Sequence, residues 1–226
     1  MKSNLILGIL HCLWLVSIAE AGLITGRVNI TGRAARSMVT TVIYAESVDT
    51  RMTPQPGRFT LLQRNKTFIP RVLAIPVGST VSFPNNDLIF HNVFSLSRPK
   101  PFDLGLYRSG LSKNQVFAVA ATYRIFCNIH PQMTAVILVV PTSYIAEVDT
   151  AGEYRLELPS GRWRLTAWSE RSQPASAEIS VPSTGAASPE LTLDESQFVE
   201  LPHTNKFGQD YPKSAYDPLT DKRSSR

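Results

Sequence analysis

The stretch Tyr123-Arg-Ile-Phe-Cys127-Asn-Ile-His130-Pro-Gln-Met133-Thr-Ala-Val-Ile-Leu-Val-Val140 reads as strand, tight loop and strand. Tyr123 to Cys127 alternates toward the thiol, the period of a half-buried strand, and Thr134 to Val140 is an apolar run of strand length. Pro131 argues against a helix through the join, because it lacks an amide donor and its ring crowds the preceding turn. Cys127, His130 and Met133 therefore share one short loop in a C-x2-H-x2-M spacing, where their donor atoms can converge on a point.

Working outward, almost every apolar segment has the same character. Leu23 to Ile30, Met38 to Ala45, Phe59 to Gln63, Arg71 to Ile75, Thr80 to Phe83, Phe90 to Ser95 and Gln115 to Ala120 are short and punctuated by Gly or Pro. No helical periodicity competes, so the expected class is all-β with sandwich architecture. Pro99 to Gly110 reads as an irregular connection with room for one helical turn. A second unit begins near Tyr144, with turns at Asp149-Thr-Ala-Gly152 and Pro159-Ser-Gly161 separating alternating segments up to Leu193. From Phe198 onward, Pro, Asn, Asp, Lys and Ser dominate, the composition of a flexible tail. The expected organisation is a signal peptide at 1–21, a ligand-bearing domain at 22–143 with its functional part at 60–143, a small β-sandwich at 144–197, and a tail at 198–226.

The donors carry the chemistry. Apart from Cys12 near the N-terminus, Cys127 is the sole cysteine, so it has no partner for a disulfide in the mature chain. His91 lies upstream in Phe90-His91-Asn92-Val93-Phe94, on a different strand that a sandwich can bring to the same end. Two imidazoles, a thiolate and a thioether form the donor set of a blue-copper electron-transfer site, with three strong trigonal ligands and one weak axial sulfur. Such ligands suit both copper oxidation states, so little rearranges on electron transfer. Each residue alone would be unremarkable: a lone Cys or Met is usually core filling. Zinc fits less well, since structural zinc sites use four Cys or His donors. A Cys/His hydrolase needs an orienting third group and an oxyanion site, neither of which is local. Asn92 and Asn128, adjacent to ligands, are candidates for outer hydrogen bonds that fix ligand posture.

At 226 residues, with 43% hydrophobic and 18% charged residues, the chain has ordinary globular composition. Lys2, the apolar Leu5 to Ile18 and Ala19-Glu-Ala21 read as a cleavable secretory signal. No later stretch is long and apolar enough for a membrane-spanning helix. Between Thr60 and Ser143 many Lys and Arg face only Asp87 and Asp103, whereas acidic residues dominate from Tyr144 to Gln197. The ordinary reading is solvated surface; the sharper one is a basic redox module steering toward an acidic partner. Scattered basic residues on an exported chain do not suit nucleic acid. Once the signal is removed, only His91, His130 and His203 remain, too few imidazoles for a catalytic multicopper cluster. Two Asn-x-Thr triplets, at Asn29 and Asn65, are short and common patterns and carry no argument.

These residues resemble the cupredoxins, the small blue copper proteins, with a ligand loop similar to that of amicyanin. The resemblance extends over Phe68-Ile-Pro70, Ile75-Pro-Val-Gly78-Ser-Thr-Val81-Ser-Phe83-Pro-Asn85 and His91-Asn92-Val93-Phe94-Ser95. Phe102-Asp-Leu-Gly105-Leu-Tyr107 is similar to the exported proteins labelled methylamine-utilisation proteins. A glycine usual before the cysteine strand is replaced by Ala120-Ala121-Thr122. The resemblance implies a Greek-key β-sandwich holding one type 1 copper on His91, Cys127, His130 and Met133. It also implies electron exit through His130, docking around Pro131, and single-electron shuttling between redox proteins in the periplasm, with cytochrome or dehydrogenase partners. Val148-Asp-Thr-Ala-Gly152-Glu-Tyr154 and Pro159-Ser-Gly161-Arg-Trp163 look like small Ig-like or carboxypeptidase-regulatory-like modules, implying a stability or docking role and no peptidase activity. The expected function is a non-enzymatic electron carrier; the alternative is a periplasmic copper chaperone or storage protein.

Overall fold

The computed structural model describes residues 21–32, 40–200 and 202–211, and every regular element in them is a strand. In chain order these are β1 (Ala21–Thr31), β2 (Val42–Ser47), β3 (Arg58–Thr60), β4 (Leu62–Arg64), β5 (Thr67–Ile69) and β6 (Val72–Pro76). They continue with β7 (Thr80–Pro84), β8 (His91–Ser95), β9 (Phe102–Tyr107), β10 (Ser112–Val116), β11 (Ala121–Phe126) and β12 (Thr134–Val140). The last are β13 (Tyr144–Glu147), β14 (Glu153–Pro159), β15 (Gly161–Trp168), β16 (Ala175–Val181), β17 (Ala186–Ala187) and β18 (Leu191–Asp194).

Two sandwiches result. In the first, the sheet β6-β12-β11-β8-β9 faces the sheet β10-β7-β3. Val81 and Phe83 from one sheet and Ile75, Val93, Ile125, Ile137 and Val139 from the other fill the space between them. In the second, β1 carries β14, β17 and β18 beside it, opposite the sheet β13-β2-β15-β16. Its core is Ile24, Val28, Ile43, Leu156, Leu158, Trp163, Leu165 and Leu193.

The strand run Thr134–Val140 explains how the two are joined. Its odd residues Ala135, Ile137 and Val139 enter the first core, while Val136, Leu138 and Val140 point the other way. There they meet Val72, Val42 and Trp168, with Tyr44 and Ile145 alongside. A strand buried on both faces needs a continuous apolar run rather than alternation, and β12 has one. Arg71 and Glu170 add an ion pair across the junction at 3.0 Å.

Strand pairing redraws the expected boundaries. β1 and β2, expected within a ligand-bearing domain at 22–143, pair with β14 and β15 and so lie in the second sandwich. The ligand-bearing sandwich is thus inserted between β2 and β13. Pro99 to Gly110, expected to be irregular, contains β9, an edge strand that tolerates Asp103 and the positive φ of Gly105 (69°) because only one side is paired. The segment read as a flexible tail is described from 198 to 211 apart from Leu201, and its residues 203–211 fold against the ligand loop. Residues 212–226 of that tail, and the 1–20 part of the signal assignment, lie outside the described residues. No helix among the described residues is long and apolar enough to cross a membrane.

Candidate metal centre

His91 opens β8, Cys127 immediately follows β11, and His130 and Met133 lie on the loop into β12. The antiparallel register pairs Phe126 with Phe94, so continuing it carries His91 alongside the loop. Two backbone bonds close that loop: Cys127 N–H to the Met133 carbonyl (3.2 Å) and Met133 N–H to the His130 carbonyl (3.0 Å).

Three predicted donors meet. His91 Nδ1 and His130 Nδ1 are 3.1 Å apart, and Cys127 Sγ lies 3.9 Å from the first and 3.7 Å from the second. The point equidistant from these three atoms, in their own plane, is about 2.1 Å from each, close to first-row metal bonds of ~2.0–2.1 Å to imidazole and ~2.3 Å to thiolate. The trio therefore fits one small cation held trigonally. Met133 is fully buried in the same core cluster as Cys127.

The electrostatics suit a buried cation. His91 is fully buried, and its Nε2 lies 2.7 Å from Asp87 Oδ2. That carboxylate can only accept, so Nε2 carries the proton and Nδ1 presents its lone pair to the centre. Burial pushes the Asp87 carboxyl upward, but N–H groups of Lys66, His91 and Asn65 outweigh it and hold the carboxyl below the usual range. Burial also lowers His130, helped by the neighbouring His91 and Lys66, to about 4, leaving its imidazole neutral at physiological pH. The Cys127 thiol is raised by burial, against backbone N–H groups of Asn92, Ile129 and His130 that favour the thiolate. A cation would supply the remaining charge needed to deprotonate it.

The two asparagines act differently from each other. Asn92 sends its backbone N–H toward Cys127 and its side-chain Nδ2 to Asp103 Oδ1 at 2.6 Å. Asn128 Oδ1 instead accepts from the Lys206 backbone at 3.0 Å. His130 is partly exposed and Pro131 is exposed, at the same face as Ile129. Sequence reasoning missed Asp87, Asp103 and the 203–211 segment. A signal existed for the first two: they are the sole carboxylates between Thr60 and Ser143, and each is bonded to a residue of the His91-Asn92 pair.

No family model and no curated protein matches the chain. Among solved structures, it is similar to a copper-containing nitrite reductase from Thermus scotoductus SA-01, at 30% identity and a TM-score of 0.35 over 39% of this chain and 23% of that one. A purple cupredoxin from Nitrosopumilus maritimus matches at 25% identity and a TM-score of 0.33, over 36% of this chain and 98% of that one. Amicyanin from Paracoccus versutus matches at 21% identity and a TM-score of 0.34, over 36% of this chain and 80% of that one. The chain thus spans about a quarter of the reductase.

Proposed function

We propose that this chain is an exported single-electron carrier that holds one type 1 copper on His91, Cys127, His130 and Met133. The observation that carries this reading is the near-trigonal convergence of two imidazole nitrogens and one thiol sulfur about a common point, all within 4.8 Å of one another. Copper bound there would supply a one-electron Cu(II)/Cu(I) couple.

The chain's own residues do the rest. Asp87 fixes the tautomer and orientation of His91, and three backbone N–H groups face the Cys127 sulfur. Burial of His91, Cys127 and Met133 excludes water from all but one side of the site. His130 is the partly exposed donor, so its ring is the route by which an electron leaves, with Ile129 and Pro131 as the surface a partner meets. The basic residues of the 60–143 part favour an acidic redox protein of cytochrome or dehydrogenase type. Export to the periplasm follows from the signal-like N-terminus, and no bond-making step is assigned to the protein.

Copper(II) titration of the protein, followed by visible and EPR spectra, tests the reading. An intense thiolate-to-copper band is expected, with loss of that band in Cys127→Ser. A colourless copper(II) adduct with ordinary EPR parameters, together with tight copper(I) binding, would replace the carrier with the chaperone or storage reading.

A further inference from the structure

We propose that residues 203–211 form a strap that positions the ligand loop, with His203 and Tyr211 as positioning residues; this rests on the metal-centre reading above. Three acceptors on the seven-residue loop from Cys127 to Met133 are held by this segment. The Tyr211 hydroxyl donates to the Cys127 carbonyl at 2.9 Å, His203 Nε2 to the Pro131 carbonyl at 2.7 Å, and the Lys206 backbone to Asn128 Oδ1 at 3.0 Å. The His203 ring also stacks on Phe126, the residue before Cys127, with centroids 4.3 Å apart and planes 29° from parallel.

The strap is itself a built turn. Asn205 is buried, and its Oδ1 accepts from the Phe207 and Gln209 backbones at 2.9 and 3.2 Å. Gln209 and Gly208 close the turn with backbone bonds to Asn205, and Gly208 takes the positive φ (75°) that the turn requires. A pre-folded turn loses less freedom on docking than a loose chain, so its contacts restrain the loop effectively.

The same segment reaches the other ligand strand. Lys206 Nζ lies 2.6 Å from Asp103 Oδ2, and Asp103 Oδ1 accepts from Asn92, the residue after His91. The strap thus grips the backbone around Cys127 on one side and, through Asp103, the His91-Asn92 strand on the other. It leaves Ile129 and the Pro131 side chain exposed, so the face proposed for docking stays open. Donor groups held through their backbones keep their spacing only while the loop is held.

The test compares the full chain with Tyr211→Phe, His203→Ala, the double variant and His203→Gln, which keeps a side-chain N–H for Pro131. Alkylation of Cys127 in the metal-free protein is followed by peptide mass spectrometry, which separates it from Cys12. Copper(II) loss to a chelator and the reduction potential are measured on loaded protein, and urea unfolding serves as the control. Losing one such hydrogen bond is expected to accelerate Cys127 alkylation about five-fold, and both bonds roughly 20-fold. Copper release should accelerate in step and the potential should shift, with the urea midpoint falling only by the small amount that losing one or two hydrogen bonds requires and with His203→Gln closer to wild type than His203→Ala. Unchanged alkylation and release in the double variant would overturn the strap, as would alkylation whose rate rises with urea as steeply as global unfolding, because opening of one loop exposes little surface. If wild type shows no thiolate-to-copper band, the carrier reading fails, while alkylation of the metal-free chain still decides the strap.

Discussion

Replacing Asp87 by asparagine separates two jobs that one carboxylate performs. Its Oδ2 accepts from His91 Nε2 at 2.7 Å and from the Lys66 backbone at 2.8 Å, and its Oδ1 accepts from the Asn65 backbone. Asn65 and Lys66 turn the β4–β5 hairpin with φ of 54° and 53°, a left-handed conformation that disfavours each non-glycine residue by about 1–2 kcal/mol. The carboxylate offsets that strain. An amide has one acceptor oxygen and turns an NH2 toward whichever donors it no longer serves. A hydrogen bond to a charged group contributes about 1.5–3 kcal/mol, and a donor left unsatisfied costs about 1–3 kcal/mol. Asp87→Asn should therefore lower apoprotein stability by about 2–3 kcal/mol, read by urea unfolding, and weaken copper(II) binding about 10–100-fold, read by competition against a chelator. Adding Lys66→Gly relieves the left-handed strain and should restore about 1 kcal/mol or more of stability, yet none of the affinity. If affinity returns together with stability in the double variant, Asp87 is only a turn clamp and its role behind His91 is wrong.

Met133→Leu conserves core volume and should change stability by less than about 1.5 kcal/mol, while shifting the thiolate-to-copper spectrum and potential; an unchanged spectrum would remove Met133 from the ligand set. Burial raises the Asp103 carboxyl, but Lys206, Asn92 and the Gly105 N–H outweigh it and leave it below its ordinary value. Its stabilising contribution should thus be complete above about pH 4 and vanish as pH falls through the lowered folded value, so the urea-measured gap between wild type and Asp103→Asn should close on acidification; a gap independent of pH would refute this. Copper(II) at 100 times its dissociation constant should stabilise the native chain by about 2.7 kcal/mol, and the tryptophan fluorescence transition should move with it, although Trp163 and Trp168 lie on β15 of the other sandwich. A stationary tryptophan transition would mean that the sandwiches unfold independently.

Features set by neighbours in the chain were legible in the sequence. The β-loop-β stretch around Cys127, the apolar run of β12 and the alternation in β14 and β15 all follow from local periodicity and from a proline that rules out helix. His91 was legible because its donor chemistry matches that of the loop. Pairing over long separations was not. Met38 to Ala45 and Arg71 to Ile75 read alike as short apolar strands, yet β2 pairs with β15 whereas β6 pairs with β12. Only the choice of partner assigns each to a sandwich, and nothing within either segment encodes it. β9 was hidden because Pro99 and Pro101 precede it and Asp103 and Gly105 punctuate it, and an edge strand needs little apolar alternation. The strap was hidden for a further reason: its polar residues are spent on loop carbonyls and side chains, and composition cannot distinguish that use from solvation.

Insertion has an energetic consequence that composition does not reveal. If the ligand-bearing sandwich were unfolded, forming the β2–β13 and β2–β15 pairs would require closing a loose loop of roughly 100 residues. Relative to a ten-residue connection, that adds about 2 kcal/mol of chain entropy. Once the inserted sandwich is folded, β12 ends at Val140 only a short step before β13, and its outward residues Val136, Leu138 and Val140 already face Val42 and Trp168. The entropy penalty then falls away and the shared apolar cluster is gained. Each sandwich therefore stabilises the other beyond their contact area, and the strap adds a second tie from the C-terminal side of the outer sandwich to the ligand loop. Binding free energy released at Cys127 and its neighbouring histidines is consequently available to strands more than one sheet away, through chain closure as well as through packing.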